Sequence, residues 1–311
     1  LTVAALVMNR VGSENHKNLL FDALSTVPRP DPLHPFEIAG FLPRDEGLAM
    51  PSRHLGLVTA EDRALTNEAV DRLGNWADRH LNLPRLLAVL PEIDPSPLSE
   101  PPPKPRTCRI AVARDAAFCF YYRENLRLLE HYGAELVHFS PMADSHLPEG
   151  ADALYLGGGY PELHAEPLSA NASMLADIRA FASAGKPVYA ECGGFMYLMR
   201  ELTDTAGKTL PMAGVFDMRA EMRERFRALG YREIVTNAPG PFGPAWTMLR
   251  GHEFHYSEPD SFDAGAKSLY KVANRSGWTD QIEGFQKHNT LGSYIHLHFA
   301  SNPEAAEHFV Q

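Results

Sequence analysis

Along this chain, strand-length apolar runs alternate with longer amphipathic stretches, and most of the apolar runs close on glycine, proline or asparagine. Runs at residues 1–8, 36–42, 108–113, 135–139, 153–156 and 187–190 predict strands, several of them apolar enough to be buried on both faces. Between them, residues 16–24, 63–80, 125–133 and 170–183 predict helices, with Gly133 as a stop signal for the third. Strand, helix, strand in this rhythm predicts parallel pairing. The expected fold is therefore α/β, a doubly wound and mainly parallel sheet with its chemistry at the carboxyl ends of the strands.

Proline interrupts the rhythm between residues 91 and 105, where Pro91, Pro95, Pro97, Pro101, Pro102, Pro103 and Pro105 crowd together. Such a density excludes helix and ladder pairing and predicts a stiff, extended linker. Two domains are expected, residues 1–100 and 106–311. A length of 311 residues accommodates both, and 44% hydrophobic with 22% charged residues is ordinary for a soluble globular protein. The net charge of −10 argues against a nucleic-acid or anionic-membrane surface. No apolar stretch reaches the roughly 18 residues of a membrane span, and no signal peptide is expected. Three cysteines fit a reducing cytoplasm without a disulfide set. The first residues already read as a buried strand, so further chain is expected upstream.

The chemistry concentrates at three strand ends. Pro187-Val188-Tyr189-Ala190-Glu191 runs into Cys192-Gly193-Gly194 and then into a helix-compatible stretch reaching Arg200. That order predicts a nucleophile elbow, with a thiol in place of a hydroxyl and the following helix start favouring the thiolate. The strand 153–156 ends in Gly157-Gly158-Gly159-Tyr160-Pro161-Glu162, a turn able to aim backbone N–H groups at a developing oxyanion, as Gly193 can. Residues 291–299 alternate as one strand that carries His296 and His298 on the same face. A thiol, an amide cradle and an imidazole are what acyl transfer through a thioester requires. Cys108 and Cys119 lack neighbours at metal-ligand spacing and read as core residues. Gly251-His252-Glu253-Phe254-His255 is one residue short of the zinc helix pattern and reads as a strand, so no metal is expected.

With those motifs the stretch from about residue 109 to 311 resembles the class I glutamine amidotransferase domain of the cobyrinate or hydrogenobyrinate a,c-diamide synthases. Residues 111–122, the 157–162 turn, the Cys192 elbow, residues 251–257 and 293–299 follow that family's order. The first hundred residues resemble the C-terminal part of the same synthases' ATP-binding half, a relative of dethiobiotin synthetase, with residues 51–57 as the most specific motif. The resemblance implies glutamine and a corrinoid precursor as partners, with room for a homodimer. It further implies ATP with Mg²⁺ in the intact enzyme and amidation of the a and c carboxylates, in cobalamin biosynthesis. Cys192 becomes the nucleophile, His296 the general base, and Gly158, Gly159 and Gly193 the oxyanion hole. Asn9 and Pro43 fall near the adenine, although Asn9 also suits a simple helix cap. The family's orienting acid belongs two residues after the histidine, where this chain has His298; Glu253 and Glu191 are then the open substitutes, with His298 as a supporting neighbour. Gly207-Lys208-Thr209 has the tail of a phosphate loop but lacks its first glycine and preceding strand, so it reads as a surface turn and the phosphate site is expected elsewhere. Three other readings stand beside this one: amidation of a nickel tetrapyrrole, a stand-alone thiol hydrolase, and a non-catalytic tetrapyrrole binder.

Overall fold

The computed structural model describes residues 3–26, 36–49, 66–92 and 102–311. The chain divides into two compact units, Leu1–Ser99 and Glu100–Gln311. The motif at 51–57 and residues 93–101 of the proline-rich stretch lie outside the described residues.

In the first unit, β1 (Ala5–Val11), α1 (Glu14–Thr26) and β2 (Glu37–Pro43) form a crossover whose strands pair in parallel, from Ala5 opposite Glu37 to Val11 opposite Pro43. The cap of α1 is Ser13, whose hydroxyl accepts from His16 N–H at 3.1 Å. Asn9 instead accepts from the N–H of Arg10 at 2.8 Å, so it does not cap the helix. Next comes α2 (Asn67–His80), started by Thr66, and then α3 (Leu83–Ala88), started by Asn82 with Pro84 in its first turn. Asn82 N–H also donates to the carbonyl of Ala39 in β2 at 2.7 Å, which anchors α3 to the sheet.

The second unit opens on β3 (Cys108–Ala113), α4 (Arg123–His131), β4 (Ala134–Phe139) and β5 (Ala153–Leu156). It continues through α5 (Ala165–Ala170), α6 (Ala172–Ser183), β6 (Val188–Glu191) and α7 (Gly193–Leu198). Along β3, Ile110 and Val112 enter one apolar cluster with Leu128 and Leu129 of α4, while Ala111 and Ala113 enter another with Met174 and Ile178 of α6. Because successive side chains point to opposite faces, helices on both sides bury the strand completely. That explains why β5 and β6 carry no exposed position at all.

Two expected elements end differently. The helix after Cys192 stops at Leu198, and Met199–Thr203 is strand β7. It belongs to a separate four-stranded sheet with β8 (Thr209–Pro211), β9 (Phe216–Met222) and, later in the chain, β12 (Ser257–Pro259). Pairing with β9 overrides the helical propensity of that short stretch. Gly207 turns between β7 and β8, and Lys208 is paired with Glu166, so the segment is a hairpin turn rather than a phosphate loop.

The remaining strands, β10 (Ala228–Thr236), β11 (Met248–His255), β13 (Lys267–Asn274), β14 (Gly277–Trp278), β15 (Glu283–Lys287), β16 (Thr290–Ser293) and β17 (Ile295–His298), add an antiparallel extension. The sheet runs β17-β11-β10-β13-β15-β16-β6-β5-β3-β4, so its parallel core is five strands wide and the rest is antiparallel. The expected single strand at 291–299 is thus two strands split at Tyr294: β16 pairs with β6, and β17 pairs with β11. One intervening residue cannot span the four strands between β16 and β17 in that order, so the extension curls back until β11 and β17 stand beside the carboxyl end of β6. The last helix, α8 (Pro303–Val310), closes the face that α4 covers. No described helix is long and apolar enough to cross a membrane.

Candidate active site

Cys192 sits between β6 and α7 with φ 46° and ψ −101°, a conformation that L-residues rarely adopt. Holding a non-glycine there costs about 1–3 kcal/mol, which the neighbours must over-determine. They do so with three backbone bonds: Cys192 N–H to Ser293 O at 2.8 Å, Met196 N–H to Cys192 O at 2.9 Å, and Gly194 N–H to Gly157 O at 2.9 Å. The last of these ties the elbow to the glycine turn after β5. Since α7 is only six residues long, its dipole is small; the sulfur donates to Phe254 O at 4.0 Å and has an imidazole beside it.

That imidazole belongs to His296, which is 4% exposed and interacts electrostatically with the Cys192 sulfur. Burial alone would drive the ring toward its neutral form. Contacts with the Cys192 sulfur and the Glu191 carboxylate reverse this and raise its pKa to about 10. Glu191 Oε2 lies 3.6 Å from His296 Nδ1, just beyond hydrogen-bond length, and that nitrogen is buried with no other partner. The curl of the sheet supplies the ring's other neighbours. His252, opposite His296 in the β11–β17 ladder, stacks on it at 4.8 Å with an interplanar angle of 13°, and Phe120 stands edge-on at 4.8 Å. Burial, then the charge of His296, pushes the His252 pKa down to about 4, so at neutral pH it packs as an uncharged ring. Its Nδ1 is bonded to the hydroxyl of Tyr122 at 2.6 Å.

The glycine turn explains itself at two positions. A Cβ on Gly158 would collide with Cε1 of His296, so only glycine lets the ring lie there. Gly159 has φ 156° and passes against the Ala117 carbonyl, where any side chain would clash. Of the three amides expected to form the oxyanion hole, that of Gly158 donates to Phe120 O at 3.1 Å and is already occupied. Gly159 and Gly193 N–H have no such acceptor among the described residues, and they lie close together, Gly159 N being 3.1 Å from where a Cβ on Gly193 would stand. Of the three expected amides, these two are the ones left unengaged.

The other expected residues have partners or positions of their own. His298 packs its ring on Tyr122 at 4.7 Å, toward solvent. Glu253 is buried with its carboxylate on Arg232 at 2.7 Å, His255 at 2.8 Å and Gln281 at 2.8 Å, which makes it a structural charge cluster on the opposite face of β11 from His252. Asn9 lies two residues before the end of β1 and Pro43 ends the adjacent parallel strand β2 in the first unit. Cys108 and Cys119 are half-buried rather than core residues. Sequence reasoning missed His252, Phe120 and Tyr122 as ring neighbours and left Glu191 undecided. A glutamate closing an otherwise apolar buried strand was the available signal for Glu191; strand register, which sequence does not give, was needed for the others. No cluster of His, Cys, Asp and Glu among the described residues is arranged to hold a metal ion.

Comparison with known proteins follows the same geometry. Residues 109–304 match the CobB/CobQ-like glutamine amidotransferase domain. A protein of Syntrophotalea carbinolica named cobyrinate a,c-diamide synthase is 42% identical over 315 residues, covering 100% of this chain and 67% of its own length. One of the same name from Leptospira interrogans is 39% identical over 317 residues, with the same coverage. The chain therefore spans about two thirds of the length of these relatives. Among solved structures, a glutamine amidotransferase is 17% identical with a TM-score of 0.47, over 65% of this chain and 96% of that one.

Proposed function

Because the chain belongs to the cobyrinate a,c-diamide synthase family and carries its CobB/CobQ-like glutamine amidotransferase domain, we propose that Cys192 and His296 release ammonia from glutamine for amidation of a corrinoid precursor. The observation that carries this reading is the strained Cys192 elbow at the end of β6, beside the buried ring of His296.

His296 accepts the thiol proton, and the thiolate attacks the side-chain carboxamide carbon of glutamine, placing negative charge on the amide oxygen. The N–H groups of Gly159 and Gly193 receive that oxyanion. As the tetrahedral adduct collapses, the carbon–nitrogen bond breaks and the imidazolium of His296 returns a proton to the leaving nitrogen, releasing ammonia and leaving a thioester on Cys192. Water, deprotonated by the now neutral His296, attacks the thioester and frees glutamate.

The ammonia serves the a and c carboxylates of cobyrinate or hydrogenobyrinate in cobalamin biosynthesis. ATP and Mg²⁺ belong to that half of the reaction. Gly207 to Thr209 does not serve as the phosphate cradle, since it forms a hairpin turn in which the Asp204 carboxylate accepts from Ala206 N–H and Lys208 N–H, both at 2.9 Å. The carboxyl ends of β1 and β2, where Asn9 and Pro43 lie, are the part of the first unit that suits a nucleotide edge. The relatives' shared name supports a corrinoid over a nickel tetrapyrrole or a peptide substrate.

The test is covalent labelling with 6-diazo-5-oxo-L-norleucine, a diazo ketone that mimics glutamine, followed by peptide mass spectrometry. A single adduct on Cys192, suppressed by excess glutamine and absent in Cys192→Ser, is the expected result. An unlabelled thiol, or labelling indifferent to glutamine, would overturn the reading.

A further inference from the structure

We propose that Glu191, the residue immediately before the nucleophile, is the carboxylate that positions His296, taking over from the acid that the chain lacks two residues after the histidine. The inference rests on the reading of Cys192 and His296 as an acyl-transfer pair and adds its third member. Its first support is elimination by geometry. Position 298 is a histidine directed at Tyr122, and Glu253 is committed to Arg232, His255 and Gln281. Glu191 is the one carboxylate among the described residues recorded within 4 Å of the His296 ring.

The second support is how firmly that carboxylate is held. Glu191 is fully buried, and three donors fix it: Tyr189 O–H to Oε1 at 2.5 Å, Leu297 N–H to Oε1 at 3.1 Å and Tyr155 O–H to Oε2 at 3.1 Å. Oε1 is saturated, whereas Oε2 keeps a lone pair for the buried, otherwise unpartnered Nδ1 of His296. Closing the 3.6 Å gap to a hydrogen bond takes a shift of under about 1 Å, and such bonds are commonly long in unliganded sites. The bond from Leu297 means that one carboxylate fixes both the ring and the backbone one residue beyond it, so nucleophile, acid and base share the joint between β6 and β17. With Nδ1–H turned to Glu191, Nε2 is left for the sulfur, and the imidazolium formed by proton transfer gains a buried counter-charge.

The groups facing this pair are Cys192 and His252 around the ring, and Tyr121, Tyr122, Tyr155, Tyr189 and Tyr270 around the carboxylate. None of the tyrosines can replace the negative charge at neutral pH, because burial raises their pKa values further. Glu191→Gln in the full 311-residue chain keeps the shape and removes the charge. The expected result is alkylation of Cys192 by iodoacetamide at pH 7 slowed about 10- to 100-fold, and the His296 Cε1–H resonance titrating at lower pH than in the wild type. A structural role alone would move the melting temperature and neither of these. Wild-type alkylation rates with an unmoved titration would overturn the proposal. Should Glu191→Gln fail to fold, Tyr189→Phe removes one clamp and is expected to slow alkylation several-fold; an unchanged rate there would equally count against Glu191. Iodoacetamide needs no glutamine site, so failure of the diazo ketone to label the wild type strikes the glutamine reading, while failure of the Glu191→Gln effect strikes only the positioning role.

Discussion

Both units contain parallel strands joined by a crossover helix, yet among the described residues only those of the second are covered on both faces. In the second unit β5 and β6 are buried at every position. In the first, β1 is buried at Val11 alone, and α1, α2 and α3 bury no residue. Val7 is 38% exposed and Leu19 61%, while Leu154 is fully buried. The same local pattern of apolar residues thus specifies strand and helix in both places, but whether helices close over each face depends on what else folds around them. The consequence for function is direct. A backbone strained at Cys192 and a carboxylate buried at Glu191 are tolerable only where the surrounding frame cannot relax.

The largest effect that tests this contrast is chemical. His296→Ala should slow labelling of Cys192 by the glutamine-mimicking diazo ketone by about 10²- to 10⁴-fold, whereas Leu19→Ser, on the open face of α1, should leave the rate within about twofold. A comparable loss from both, measured as adduct formation over time, would mean that the covered frame is not what distinguishes the units. Stability comes next. Leu154→Ala opens a cavity in a closed core and should cost about 2–5 kcal/mol, against less than about 1 kcal/mol for Val7→Ala. Urea unfolding of the two variants checks this, and equal midpoint shifts would contradict the burial contrast.

Most of the parallel core was legible in the sequence because strands buried on both faces leave uninterrupted apolar runs; residues 108–113 and 153–156 are strands with those limits in the structure. Legibility failed wherever pairing between distant segments decides the outcome. Residues 199–203 continue a helix-compatible stretch and become a strand only because Phe216–Met222 lies beside them. Residues 291–299 alternate without a break, yet Tyr294 hands the chain from β6 to β11. For the site, Cys192, His296 and the glycine turn announced themselves through residue type and spacing. Which amide is available did not, since Gly158 and Gly159 are identical in sequence and differ only in that Phe120 occupies one of them. Glu191 and Glu253 were equally plausible as acids until the ladder register sent one toward the imidazole and the other toward Arg232.

The smallest expected effect concerns His252, which closes the covered side of the site by stacking on the base. Its pKa falls to about 4 in the folded protein, first through burial and then through the charge of His296, against about 6.5 in an unfolded chain. Between those values the unfolded state binds more protons, so the stability that neutral His252 contributes is complete above pH 6.5 and drains away as pH falls toward 4. Glu162 and Glu283 act oppositely: burial raises both to about 7, so their contribution is present in acid and lost as pH rises through that value. A melting curve of the wild type alone therefore mixes the two trends. His252→Gln separates them, because it keeps a hydrogen-bonding group for Tyr122 and leaves both glutamates in place. The advantage of wild type over His252→Gln should shrink by a few °C in Tm between pH 7 and pH 4. A constant difference across that range would show that the ring is protonated in the folded protein as easily as in water, and that the crevice beside His296 is open where the packing has it closed.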